Sequence, residues 1–159
     1  MNSEISTAGD QARWLHQELA EARPDHRWLL VQYHRPVFPA VKSPGAGLLS
    51  WVPLFERYHV DLVCESDGHV VKRTVPIRDR KPDPSGVVYI GEGGLGVPQR
   101  TPKKERWFLQ EPGMADAAHH VFVITAGADV MKIRCETLTR GVIDRSRRRV
   151  RPAKVRKGS

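Results

Sequence analysis

Membrane spans, export signals, redox motifs and repeats are all missing from this sequence. No stretch of the 159 residues approaches the ~20 consecutive apolar residues needed to cross a bilayer. The opening Met1-Asn2-Ser3-Glu4 has neither the basic nor the apolar region of a signal peptide. Nothing in the chain as given exports it, and its location is otherwise unspecified. Cysteine is scarce at two residues, and without C-x-x-C spacing a structural zinc site or redox motif is excluded. Cys64 and Cys135 each sit in a strand-like apolar run, where a small buried thiol is the ordinary reading, and a disulfide between them stays open. No self-similarity at a fixed period marks a solenoid or propeller.

Acidic residues are absent from the carboxyl-terminal stretch, where basic ones crowd. The formal net charge is +8, and of 26 Lys and Arg residues eight fall in 145–159, where no acid occurs. The preceding chain balances its 18 acidic residues with as many basic ones. Such a terminal block of like charge without aromatics reads as a disordered, solvated tail. A contact of this tail with nucleic acid or anionic lipid is the functional alternative. Residues 1–144 and the tail 145–159 are therefore expected to be distinct regions. The hydrophobic fraction of 40% and charged fraction of 28% suit one modest globular domain.

The order of elements is α/β. Trp14, Leu15, Leu19 and Ala22 recur at helical spacing after Thr7 or Asp10 as cap, with Arg23-Pro24 as the stop. Trp28 to Tyr33 does not alternate and predicts a fully buried strand. A Pro- and Gly-rich loop, 38–47, follows. Leu48, Val52 and Phe55 with Trp51, Leu54 and Tyr58 predict a helix with Pro53 in its first turn, then a strand from Val60 to Cys64. Further strands are expected at Val70–Ile77 and Val87–Ile90, flanking a turn at 80–86. A hairpin of His120–Thr125 and Val130–Glu136 and a short strand, Gly141–Asp144, complete the pattern.

Gly91-Glu92-Gly93-Gly94-Leu95-Gly96 matches the dinucleotide-binding G-x-G-x-x-G, but the next residues, Val97 to Pro102, hold two prolines and no helical period. Without a helix whose amino terminus faces a pyrophosphate, that motif binds no dinucleotide.

Two blocks carry chemistry. Val31-Gln32-Tyr33-His34-Arg35-Pro36 ends one apolar run, and Glu65-Ser66-Asp67-Gly68-His69 follows another. Each places lone-pair donors where a buried strand would stop, the usual location of sites in α/β proteins. With Lys72-Arg73-Thr74, they resemble the last two motifs of the purple acid phosphatase-like metallophosphoesterases, V-x-x-H and G-H-x-H, and a bacterial variant near E-x-H-D-H-x-x-K-R-T. His34 matches the V-x-x-H histidine and His69 the final histidine, while Asp67 stands where the family has its other histidine. Gln11-Ala12-Arg13-Trp14-Leu15 is similar to the family's Q-x-x-W-L helix, and Gly86 to Gly94 to its glycine-rich strand and loop. The resemblance runs to about Asp144.

The family's opening aspartate and its G-D-x-x-Y and G-N-H-E blocks have no counterpart here. The resemblance thus implies the carboxyl-terminal half of a four-layer α/β/β/α metallophosphoesterase sandwich. It implies hydrolysis of phosphoric monoesters, from a phosphorylated small molecule or a phosphoprotein, by a pair of divalent or trivalent metal ions (Fe, Mn or Zn). His34 and Asp67 would share one metal and His69 would reach the other. A carboxylate at Asp67 adds hard, anionic oxygen, favouring Mn, Mg or Fe over Zn there. The alternative is a non-catalytic remnant of the fold kept as an interaction module. Lys72 and Arg73 either balance the site's carboxylates or face water, and Arg35 either binds phosphate oxygens or shapes its loop.

Overall fold

The computed structural model describes residues 1–150. Helix α1 spans Asp10–Asp25 and buries Leu15 and Leu19, while Trp14 lies 46% exposed beside that stripe. Pro24 does not stop the helix, because a proline in the final turn forfeits a single backbone bond. Strand β1 (Leu30–Gln32) is followed by the short helices α2 (Gly47–Ser50) and α3 (Val52–Arg57), with Pro53 tolerated at the start of α3. Then come β2 (Leu62–Cys64), β3 (Val71–Arg73), the two-residue strands β4 (Ile77–Arg78) and β5 (Lys81–Pro82), and β6 (Val88–Gly91). A 3-10 turn at Trp107–Leu109 leads to β7 (Met114–Asp116), β8 (His120–Ala126), β9 (Val130–Thr137) and β10 (Gly141–Arg149).

A five-stranded sheet ordered β1-β2-β6-β3-β7 forms the centre. Its first three strands are parallel, and β3 and β7 run against them. Side chains of alternate residues then separate onto two faces. Val31, Val63 and Tyr89 point to one face and pack with Leu15, Leu19, Trp51 and Phe55 of the helices. Leu62, Val88 and Ile90 point to the other and meet Met131 and Ile133 of the antiparallel sheet β10-β9-β8. Helices, central sheet and second sheet are thus successive layers. The full burial of Trp51, Phe55, Leu62 and Ile133 contributes about 1.5–3 kcal/mol for each such side chain.

The structure departs from the pattern at several places: β7 (Met114–Asp116) forms where no strand was expected, and the helix expected from Leu48 to Tyr58 is divided into α2 and α3. Strand β1 alternates exposed, buried, exposed, because it is the edge strand and Leu30, at 45% exposure, is left uncovered by the second sheet. The region expected to be one strand from Val70 to Ile77 is split between β3 and β4. The basic tail expected from residue 145 instead begins as ordered strand. Arg145 to Arg149 continue β10, in register with Arg134 to Val130 of β9. Ladder hydrogen bonds and the inward turn of Arg148, which donates to the Gly86 carbonyl at 2.5 Å, hold it there. The rest of that expected tail, 151–159, lies outside the described residues. No helix among the described residues is long and apolar enough to cross a membrane.

Candidate functional site

Parallel pairing dictates where the site forms. Gln32 is in register with Cys64, and Cys64 with Ile90, so β1, β2 and β6 end together at one sheet edge. The antiparallel β3 begins at that same edge, with Lys72 opposite Gly91. Residues just past three strand ends and just before a fourth therefore converge: His34, Glu65 to His69, and Glu92. Backbone bonds lock them, Ser66 N–H to the His34 carbonyl at 2.9 Å and His69 N–H to the Glu92 carbonyl at 2.9 Å.

Two of the three predicted ligands meet. His34 Nε2 lies 3.7 Å from Asp67 Oδ1, on the wall of a cleft of about 570 Å³ that also includes Glu4, Arg35, Lys42 and Gly45. Extended-chain alternation does not orient this turn, since Asp67 and His69 both adopt left-handed backbone, at φ 69 and 57°. Non-glycine residues take that conformation at a cost and are concentrated at functional sites. The His69 ring is placed by its Nδ1, 3.1 Å from the Pro98 carbonyl. A carbonyl can only accept, so Nδ1 carries the hydrogen, which in the neutral ring makes Nε2 the nitrogen with the lone pair. Asp67 receives Lys42 Nζ on Oδ1 at 2.5 Å, and Arg100 donates to its backbone carbonyl at 2.9 Å. Partial burial works to raise the Asp67 carboxyl, but the Lys42, His34 and Arg100 charges outweigh it and hold the group below its ordinary value.

Directly beneath lies a charged cluster that the sequence patterns did not assemble. Lys72 is fully buried, with its ammonium between Glu65 Oε2 and Glu92 Oε1, the latter at 2.9 Å, and donating to the Phe38 carbonyl at 2.8 Å. Glu65 Oε1 accepts from the Tyr33 hydroxyl at 2.6 Å and from Val37 N–H at 2.7 Å. Burial works against the charged form of Lys72, yet the two carboxylates hold its proton more tightly than usual. Burial raises the Glu92 carboxyl. Among the described residues Glu92 Oε2 has no hydrogen-bond partner, and it faces Gly68, where a Cβ would come within 1.7 Å of it. Glu92 sits inside the glycine-rich motif, and a lone charge between an apolar strand and two glycines is the signal that could have found it.

Other candidates resolve as structural. Arg35 forks onto Glu4, at 2.8 and 2.6 Å, on the wall of the same cleft. Arg73 does not face water but grips Asp144 at 2.6 and 2.7 Å. Both cysteines are free. Burial pushes the Cys64 thiol up to about 11, with the Glu65 charge adding to it, and the Cys135 thiol up to about 12. No helix follows the 91–96 glycines, as the proline-rich continuation implied.

Whether these residues suit a metal is a question of donor type and number. Imidazole Nε2 and carboxylate Oδ1 at 3.7 Å are apt donors. Yet the described residues hold no group of three His, Cys, Asp or Glu able to enclose an ion, and a lysine ammonium already neutralises Asp67.

Comparison with known proteins gives the context. No family model matches the chain. An uncharacterized protein of Mycobacterium tuberculosis is 36% identical over 102 residues, covering 60% of this chain and 17% of that protein. Purple acid phosphatase 21 of Arabidopsis thaliana is 35% identical over 92 residues, 54% of this chain and 21% of the relative. The solved purple acid phosphatase PPD1 from yellow lupin seeds superposes with a TM-score of 0.73 at 18% identity, covering 92% of this chain and 29% of that one. The chain carries a purple acid phosphatase-like fold. It corresponds to the carboxyl-terminal part of that fold, in keeping with the order of its motifs. The matched region spans only about a fifth of the length of these curated relatives, at 17% and 21%. A second solved structure, GAP50 of Plasmodium, described as the anchor in the inner membrane complex, gives a TM-score of 0.69 at 13% identity, over 90% of this chain and 43% of that one.

Proposed function

We propose that the chain contributes His34, Asp67 and His69 to the metal centre of a phosphoesterase acting on phosphoric monoesters, the remaining donors coming from the rest of the fold that its relatives carry. The observation that carries this reading is the His34–Asp67 pair, 3.7 Å apart at the ends of two adjacent parallel strands. The left-handed turn through Asp67 and His69 supports it, as does a His69 ring whose Nδ1 is engaged by Pro98. When bound, a metal pair supplies charge neutralisation for phosphate oxygens and activation of the attacking water. The residues here hold lone pairs in place: Asp67 ionised, His69 by its Nε2, and His34 across from Asp67. Lys42 serves as the counter-charge of Asp67 until a metal displaces it.

Calorimetric titration of the full chain with Mn²⁺ tests this. Weak binding is expected, reduced at least about tenfold in Asp67→Ala and strengthened in Lys42→Met, which removes the competing ammonium. Hydrolysis of p-nitrophenyl phosphate by the isolated chain should not exceed that of a His34→Ala, His69→Ala double variant. Equal Mn²⁺ affinity in wild type and Asp67→Ala would refute the assignment.

One observation favours a second reading. The Lys42–Asp67 ion pair already satisfies the carboxylate without a metal, as expected if the fold serves as an interaction module, and the GAP50 neighbour is itself described as an anchor. That reading expects metal affinity to be indifferent to Asp67.

A further inference from the structure

Positive charge is concentrated on the outward face of the three-stranded sheet, where neither the core nor the candidate site uses it. Along β9, Met131, Ile133 and Cys135 point inward and are buried, so Lys132, Arg134 and Glu136 point out. Along β10, Arg145, Arg147 and Arg149 are exposed while Ser146 and Arg148 turn inward. The register sets Arg145 opposite Arg134 and Arg147 opposite Lys132. Directly paired residues in an antiparallel ladder share a face, with Cβ atoms about 4.5–5.5 Å apart, and like charges so placed are destabilising. A single acid answers them: Glu136 pairs with Arg134 at 2.5 Å. Lys132, Arg145, Arg147 and Arg149 have no ion-pair partner among the described residues.

Protection of an exposed edge explains part of this, since charged side chains on an edge strand deter pairing with another chain. It does not explain Lys132 and Arg134, which lie on the central strand of the sheet. Two cross-strand repulsions kept on one face point to an anion that covers it.

We propose that this face binds the phosphodiester backbone of a nucleic-acid duplex, without reading its sequence. Arg145, Arg147 and Arg149 recur at every second residue of a strand, about 6.8 Å apart. A straight, regular row of cations suits a polymer of closely spaced charges better than a single small anion. Each guanidinium fork can also engage two phosphate oxygens. The neighbouring outward side chains are Val121, Val123, Thr125 and Val142, none of them aromatic. The face therefore has no platform for stacking the bases of a single strand. Nor does it have the large apolar side chains with which interfacial segments enter a bilayer. The proposal does not depend on the reading of the His34–Asp67 site.

Fluorescence anisotropy with a labelled mixed-sequence DNA duplex of about 20 base pairs, titrated at several KCl concentrations, tests it on the full chain. The variant Arg145→Gln, Arg147→Gln, Arg149→Gln is compared with Arg57→Gln, Lys81→Gln, Lys103→Gln, which removes the same charge from α3, β5 and the segment before the 3-10 turn. Residues 151–159 remain in both, so their four Lys and Arg residues contribute equally. The face variant should lose at least about tenfold in affinity near 0.1 M salt, with a log–log salt dependence shallower by about 2–3; the control should change less than about threefold. Should the triple variant fail to fold by circular dichroism, Lys132→Gln with Arg147→Gln, which relieves one repulsion, provides the same readout. Equal losses in both variants would reduce the effect to net charge. Absence of duplex binding by the wild type at about 50 mM salt, or binding only to phosphatidylserine vesicles, would overturn the proposal.

Discussion

At the scale of single residues, Lys72 is the most consequential side chain outside the proposed ligands. Its ammonium is wholly buried and joins Glu65, Glu92 and the Phe38 carbonyl, and through them the ends of β2 and β6 and the loop after His34. Lys72→Met would leave two carboxylates facing each other without a counter-charge, a loss of about 3–5 kcal/mol for a broken buried pair. Urea denaturation near pH 7 measures it, and a loss below about 1 kcal/mol would show that the cluster does not hold the fold. The pH dependence has a definite sign. Lys72 binds its proton more tightly folded than at its ordinary 10.5, so its contribution is complete below that value and fades as pH rises through the higher folded one. The lysine was visible in the sequence as a charge beside the motif; its pairing with Glu65 and Glu92 was not, because they lie 7 residues before it, just past β2, and 20 after it, just past β6, joined only by strand pairing.

Among the elements, the glycine-rich segment after β6 has a division of labour that substitution can expose. Gly91 has φ 137°, and a Cβ there would sit 2.0 Å from the Glu65 carbonyl oxygen, inside the β2–β6 junction beneath the site. Gly96 has φ 75° with nothing within 4 Å of such a Cβ. Gly91→Ala is therefore expected to destabilise by more than about 3 kcal/mol, combining a forbidden conformation with a backbone clash. Gly96→Ala should cost only about 1 kcal/mol, the conformational part alone. Denaturation midpoints of the two variants decide this, and similar losses in both would contradict the geometry. The sequence shows the cluster of glycines; which of them is irreplaceable emerges only from the carbonyl that packs against it.

Across the whole molecule, the two sheets are joined by two apolar clusters, Leu62, Val88 and Ile90 against Met131 and Ile133, and Val71 against Cys135. Ile133→Ala should therefore cost about 2–5 kcal/mol and lower the stability of both sheets together. Fluorescence of the four tryptophans, among them Trp51 against the helices and Trp28 at the seam between the sheets, and circular dichroism should give coincident transitions; separate midpoints would mean that the sheets unfold independently. The α/β class, the first helix, the hairpin from His120 to Glu136 and the places where donors leave β1 and β2 were determined by the sequence itself. Each rests on periodicity, turn residues and apolar runs, which are local properties. What only the tertiary structure decided was long-range: that β1, β2 and β6 end in register, that Lys42 reaches Asp67, that His69 is held by Pro98, and that β10 continues through its arginines. These depend on pairing between segments far apart in the chain, and no local pattern of side chains records which distant backbone or charge will lie opposite.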